Sequence, residues 1–232
     1  MALSLANLWA HCVGYARFRR RLTPAYPMRT LWAAYAALSV NAWVWSSLFH
    51  CRDTRPTEIL DYFSADCLVV FTLFAVTVRA GRLFAARQWL PVAMPLICGL
   101  GLHFRYMLFT LFDYGFNVKA RAPRRLCCRA CPSTDAPAYW DGQMCVAAGA
   151  VHSLILLAWS FSTAHPRRVR LLGLLTAAHA ASLLEVLDFP PLAGIADAHA
   201  LWHAATPLVT LGWYSFLADD CEAFWPDVKK KR

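Results

Sequence analysis

Charge is scarce in this chain. Only 16% of its 232 residues are Asp, Glu, Lys or Arg while 59% are hydrophobic, a balance that excludes an ordinary soluble domain. Acidic residues are scarcer still, 14 against 23 Lys and Arg, which leaves a formal net charge of +9. That excess does not point to nucleic acid, because the basic residues fall in short connections between apolar blocks, the pattern of topology signals. No basic stretch leads the first apolar run, Met1 to Ala16; the Arg cluster follows it, which favours a short or truncated first span over a signal peptide. The nine Cys are scattered, so no disulfide framework is readable. A soluble metalloprotease motif is also missing, since Ala200 stands where an HExxH helix places Glu.

What the chain does have is apolar blocks about 20 residues long, enough to cross roughly 30 Å of hydrocarbon. The pattern predicts helices near 30–51, 58–79, 89–112, 144–164, 169–188 and 195–217, after the stretch 1–16. The expected fold class is all-α: a polytopic membrane protein, a seven-transmembrane helix bundle forming one hydrolase-like domain over 1–232. Basic residues alternate between connections. Arg17, Arg19, Arg20, Arg21 and Arg29, then Arg79, Arg82 and Arg87, then Arg167, Arg168 and Arg170, then Lys229 to Arg232 supply 15 of the 23 Lys and Arg. These connections and the tail (218–232) are expected in the cytosol and the N-terminus in the lumen.

Polar groups inside apolar segments need a reason, since each costs several kcal/mol in a membrane helix and so faces a cavity, a partner or a site. In the predicted topology Ser46, His50, Asp61, His199 and His203 all fall at the luminal ends of their helices. Ser46 and His50 are four apart, hence on one face, and His199 and His203 repeat the spacing. Two imidazoles at i and i+4 plus a third from another helix make a three-His set that leaves a fourth position for water, the arrangement of catalytic zinc. Asp61 then serves to take a proton or orient a ligand, with Asp197 a second candidate for the orienting role, and Ser46 serves as hydrogen-bond donor to an oxyanion. Against this stands a plainer role, since membrane helices also use His pairs for interhelical hydrogen bonds and Ser for close packing. The other histidines, His11, His103, His152, His165 and His179, are read as interfacial or satisfied core residues.

The runs NAWVWSSLFHCRDTRPTEILDYF (from Asn41), LFDYGFN (Leu111 to Asn117), SLLEVLDFPPLAGIADAHALWHAATPL (Ser182 to Leu208) and FLADD (Phe216 to Asp220) resemble the post-GPI attachment to proteins factor 3 family. That family is similar to a wider group of seven-span hydrolases that includes alkaline ceramidases and adiponectin receptors. The group signature, Ser-x3-His, then Asp, then His-x3-His, falls here on Ser46 and His50, on Asp61, and on His199 and His203. The resemblance implies a phospholipase A2-type enzyme with zinc as cofactor, which removes the sn-2 acyl chain from the GPI lipid of attached proteins. Its partners would be GPI-anchored proteins and their lipid. Two alternatives stay open: a non-catalytic lipid-binding receptor or chaperone for GPI-anchored proteins, and a ceramidase-type amide hydrolase.

Two departures accompany the resemblance. Family members begin with a signal peptide and a Cys-rich luminal domain, whereas this chain begins within what reads as the first span. The segment Ala120 to Gly142 is basic, Pro-containing and aperiodic, and reads as a disordered luminal insertion or retained non-coding sequence. Its Cys128 and Cys131 form a lone CxxC, weak evidence for metal or redox chemistry. The Lys229-Lys230-Lys231-Arg232 tail resembles a dilysine retrieval signal and fits a Golgi or endoplasmic reticulum membrane; it equally suits an anchor on anionic lipid.

Overall fold

The polar positions that lower the apolarity of three helices are also the ones those helices turn inward. The computed structural model describes residues 1–109, 144–187, 189–191 and 196–226. Among them are seven α-helices: α1 (Ala2–Arg21), α2 (Arg29–Cys51), α3 (Arg55–Ala80), α4 (Leu90–Phe109), α5 (Met144–Ser162), α6 (Arg168–Leu187) and α7 (Ala198–Phe224), with a short 3₁₀ turn at Ala86–Gln88. Four of them, α3 to α6, are long and apolar enough to cross a membrane. The remaining three bury polar side chains: Ser4, Asn7 and His11 on α1, Ser39, Ser46 and Ser47 on α2, and His203 and Asp220 on α7. The chain is therefore a helical multi-pass membrane protein. The Ala120–Gly142 segment and the Lys229–Arg232 tail lie outside the described residues.

The α1 helix packs against both α2 and α7, and α7 packs in turn on α6, while α3 joins α2, α4 and α5. Outward faces are apolar: Leu90, Ile97 and Leu102 on α4, Leu154 on α5, and Val169, Leu183 and Leu187 on α6 are all exposed. Lipid chains solvate such a surface, and helices satisfy their own backbone groups inside it.

Helix boundaries differ from the sequence expectation where side chains supply a stop or an extension. Thr54 caps α3, its hydroxyl accepting from Thr57 N at 3.4 Å while Thr57 Oγ1 accepts from Thr54 N at 3.0 Å. With Pro56 just inside, this starts α3 at Arg55, three residues early. At the other extreme α1 continues through its Arg cluster to Arg21, and α7 runs seven residues past the expected 217. One set of ion pairs holds both ends: Arg21 donates to Glu222 Oε1 and to Asp219 Oδ1, each at 2.8 Å, and Arg170 to Asp219 Oδ2 at 2.7 Å.

The same end of the bundle holds a deeper polar knot. Arg79 is 5% exposed and Asp220 1%. Arg79 donates Nε to Asp220 Oδ2 at 2.8 Å and Nη2 to Asp220 Oδ1 at 2.6 Å, a bidentate pair. Tyr26 donates to the same carboxylate at 2.8 Å, and Trp32 Nε1 donates to Tyr26 at 3.1 Å. The Arg79 guanidinium also lies 4.6 Å from the Trp159 ring centre and 4.9 Å from that of Trp225. Arg79 is thus a neutralised interior residue. The charge pattern of the sequence alone counts it among the loop cations.

Candidate metal centre

Three histidines from two helices meet at the end of the bundle opposite this knot. His199 and His203 lie one turn apart at the start of α7, and His50 comes from the last turn of α2. Their Nε2 atoms form a triangle with sides of 2.9 Å (His199 to His203), 3.3 Å (His50 to His203) and 3.4 Å (His50 to His199). Zinc–nitrogen bonds of 2.0–2.1 Å at tetrahedral angles separate ligand atoms by about 3.3 Å, so the donor set fits that geometry with a fourth position open. Among the described residues this is the one group of three or more His, Cys, Asp or Glu whose ligand atoms lie close enough to share a metal ion. Burial is graded across the triangle: His50 is exposed, His199 intermediate and His203 buried.

Several groups aim these rings. Glu185, on α6, meets His199 Nδ1 through Oε2 at 2.8 Å, which fixes a proton on Nδ1 and leaves the Nε2 lone pair for the triangle. Asn7, fully buried on α1, donates through Nδ2 to the backbone carbonyl of His203 at 2.8 Å and pins that turn of α7. His203 Nδ1 is buried without a hydrogen-bond partner among the described residues, as is Asn7 Oδ1. On the apolar side Trp43 meets the His203 ring edge-on at 5.4 Å between centres.

Ser46 and Asp61 line one cavity of about 220 Å³ together with Glu185, His199 and His203. Ser46 is buried and donates only a long 3.4 Å hydrogen bond to Ser4, so its hydroxyl is weakly held. Ala65, Leu68 and Val69 of α3 continue the cavity wall with apolar surface.

Asp197 has a different role from the one expected. It is the N-cap of α7, and its carboxylate accepts from Ala200 N at 2.7 Å. Glu185 is instead the carboxylate that meets a histidine of the triangle, a residue the sequence analysis does not single out although a lone Glu in an apolar helix is itself a signal. The remaining histidines are mostly satisfied. His11 meets Tyr214 Oη at 3.2 Å, His103 faces Asp66 at 3.4 Å, His179 meets Ser153 at 2.9 Å, and His165 accepts from Arg167 N at 3.0 Å. His152 Nε2 and His165 Nε2 are both buried without a hydrogen-bond partner among the described residues, the first against the Trp213 ring and the second 3.5 Å from Asp220 Oδ1.

The zebrafish (Danio rerio) protein named GPI-specific phospholipase A2-like PGAP3 is 33% identical over 94% of this chain and 62% of its own length. The human (Homo sapiens) protein of the same name is 34% identical over 94% of this chain and 61% of its own length. A fission yeast (Schizosaccharomyces pombe) protein, named Protein PER1 homolog, is 32% identical over 94% of this chain and 61% of its own length. The chain therefore spans about three fifths of the length of these relatives. No solved structure matches it. The profile of the Per1-like family matches residues 1–125 and 134–221, nearly the whole chain, and the chain belongs to that family.

Proposed function

We propose that this chain is a seven-span, zinc-dependent acyl-ester hydrolase that remodels GPI anchors by removing the sn-2 acyl chain from the lipid of attached proteins. One observation carries the reading: three Nε2 atoms within 2.9 to 3.4 Å of one another beside a cavity lined by Ser46 and Asp61. The substrate class comes from relatives whose names describe GPI-specific phospholipase A2-like proteins.

In this reading His50, His199 and His203 hold the metal. Zinc bound there supplies Lewis-acid polarisation of an ester carbonyl and a water of lowered pKa. Asp61 accepts the proton from the attacking water and returns it to the leaving glycerol oxygen. Ser46 turns its hydroxyl from Ser4 to the carbonyl oxygen as negative charge develops. Glu185 keeps the His199 proton on Nδ1. The apolar wall of Ala65, Leu68 and Val69 keeps water away from the acyl chain.

The reading is tested in cells lacking this remodelling activity, by mass spectrometry of the lipid on GPI-anchored proteins. Asp61→Asn is expected to lose acyl removal while the purified protein keeps its metal. Ser46→Ala is expected to slow the reaction by about 10² to 10³, the loss typical of one oxyanion donor. Remodelling by Asp61→Asn at the unmodified rate would remove the proposed mechanism and favour a receptor or chaperone.

The orientation belongs to the same proposal. Arg17, Arg20, Arg21 and Arg170 gather at one end of the bundle and the histidines at the other, so in this proposal the positive-inside bias has the arginines in the cytosol and the metal centre at the lumen of the Golgi or endoplasmic reticulum. A glycosylation acceptor engineered beside Thr54 is expected to be modified and one in the Arg82–Gln88 connection is not. The reverse pattern would place the site on the cytosolic face.

A further inference from the structure

At the arginine end a second cavity, of about 400 Å³, opens between α1 and α7. Its wall is apolar, built from Phe18, Leu211 and the Tyr214 ring. Gly14 allows α1 to lie directly on that ring, since a Cβ at this position would collide with Tyr214 Cδ2. The rim is cationic. Arg17, Arg20 and Arg21 are three and four residues apart, and all three line this groove.

These three arginines are not equivalent. Arg21 is committed to Glu222 and Asp219. Arg17 and Arg20 are exposed and form no ion pair among the described residues. The carboxylates nearby are already engaged, Asp219 by Arg21 and Arg170, Asp220 by Arg79, and Glu222 by Arg21. The groove therefore presents two free guanidinium groups above an apolar wall. A complementary ligand must carry an anionic group and an apolar limb on one molecule. Zwitterionic lipid fits less well, because its headgroup carries no net negative charge to set against the two guanidinium groups.

We propose that the groove between α1 and α7 binds an anionic phospholipid of the adjoining leaflet, with its phosphate on Arg17 and Arg20 and an acyl chain along Phe18 and Leu211. The site is separate from the histidine centre. Arg17 lies ten residues beyond Asn7 on α1, about 15 Å along the helix.

The test is native mass spectrometry of the purified chain in phosphatidylcholine nanodiscs with and without phosphatidylserine. The unmodified chain is expected to retain phosphatidylserine in preference to phosphatidylcholine. Arg17→Ala with Arg20→Ala is expected to weaken that binding about tenfold or more, through loss of two cation contacts with the lipid. Arg19→Ala with Arg168→Ala, which removes equal charge outside the groove, is expected to leave it unchanged. Ser215→Trp, which fills the groove without altering charge, is expected to weaken it. Equal loss in the Arg19 and Arg168 pair would show diffuse attraction and overturn the site. Undiminished binding in Ser215→Trp, or full displacement of the lipid by inorganic phosphate, would overturn the lipid as its occupant.

Discussion

His203→Ala is expected to abolish acyl release and to reduce zinc in the purified protein from one equivalent to near none. His203 is the buried corner of the triangle, 2.9 Å from one partner Nε2 and 3.3 Å from the other, and Ala supplies no replacement donor. The fold is expected to survive. Asn7 donates to the backbone carbonyl of residue 203, a contact that Ala retains, and the hydrogen bonds of α7 are internal to the helix. Glu185→Gln provides a graded comparison: the His199 ring stays but its charged partner is lost, and zinc affinity is expected to fall about 10- to 100-fold. The measurements are zinc content by elemental analysis, competition with a chelator, and lipid analysis in cells. Full zinc occupancy in His203→Ala would disprove the three-histidine site even if activity were lost.

Asp220→Ala is expected to cost about 3 to 5 kcal/mol of stability, the penalty for leaving a buried charge without its partner. Arg79 would remain against Trp159 and Trp225 with no anion, and Tyr26 would lose its acceptor. Glu222→Ala breaks the exposed pair with Arg21 and is expected to cost no more than about 1 kcal/mol. Denaturant unfolding in detergent micelles compares the two. Replacing Arg79 and Asp220 together by apolar residues of similar volume is expected to recover most of the loss, because a buried pair taken as a whole adds little net stability. Equal cost for Asp220→Ala and Glu222→Ala would mean that the knot is not the structural lock of that end.

The apolar blocks gave the helices nearly in place, because hydrocarbon thickness sets helix length independently of the neighbours. His50, His199 and His203 were legible for a related reason: polar groups stand out against apolar sequence, and i, i+4 spacing fixes a shared face. Glu185 obeys the same rule but is not singled out by spacing, since its partner His199 lies on a different helix. Asp197 shows the opposite failure. Its closeness to His199 in sequence suggested a role at the ligand, but one turn of helix geometry assigns it to Ala200 N. Arg79 and Asp220 were beyond reach for another reason. Each sits at the end of an apolar helix, where a solvated loop charge and a buried ion pair have the same sequence appearance, and only the meeting of the two side chains in the folded bundle separates them.

The triangle draws two corners from a single turn of α7 and the third from α2. Any ion it holds therefore acts as a crosslink between two helices, and its affinity is thermodynamically linked to how firmly they dock. Trp43 of α2 stacks on Trp202 of α7 at 5.9 Å between ring centres and an interplanar angle of 29°, directly beside the histidines. Linkage is reciprocal: a change that loosens this aromatic clasp lowers metal affinity by the same factor by which metal removal loosens the clasp. If the triangle holds zinc as proposed, the tryptophan pair tunes its retention without contributing a ligand atom.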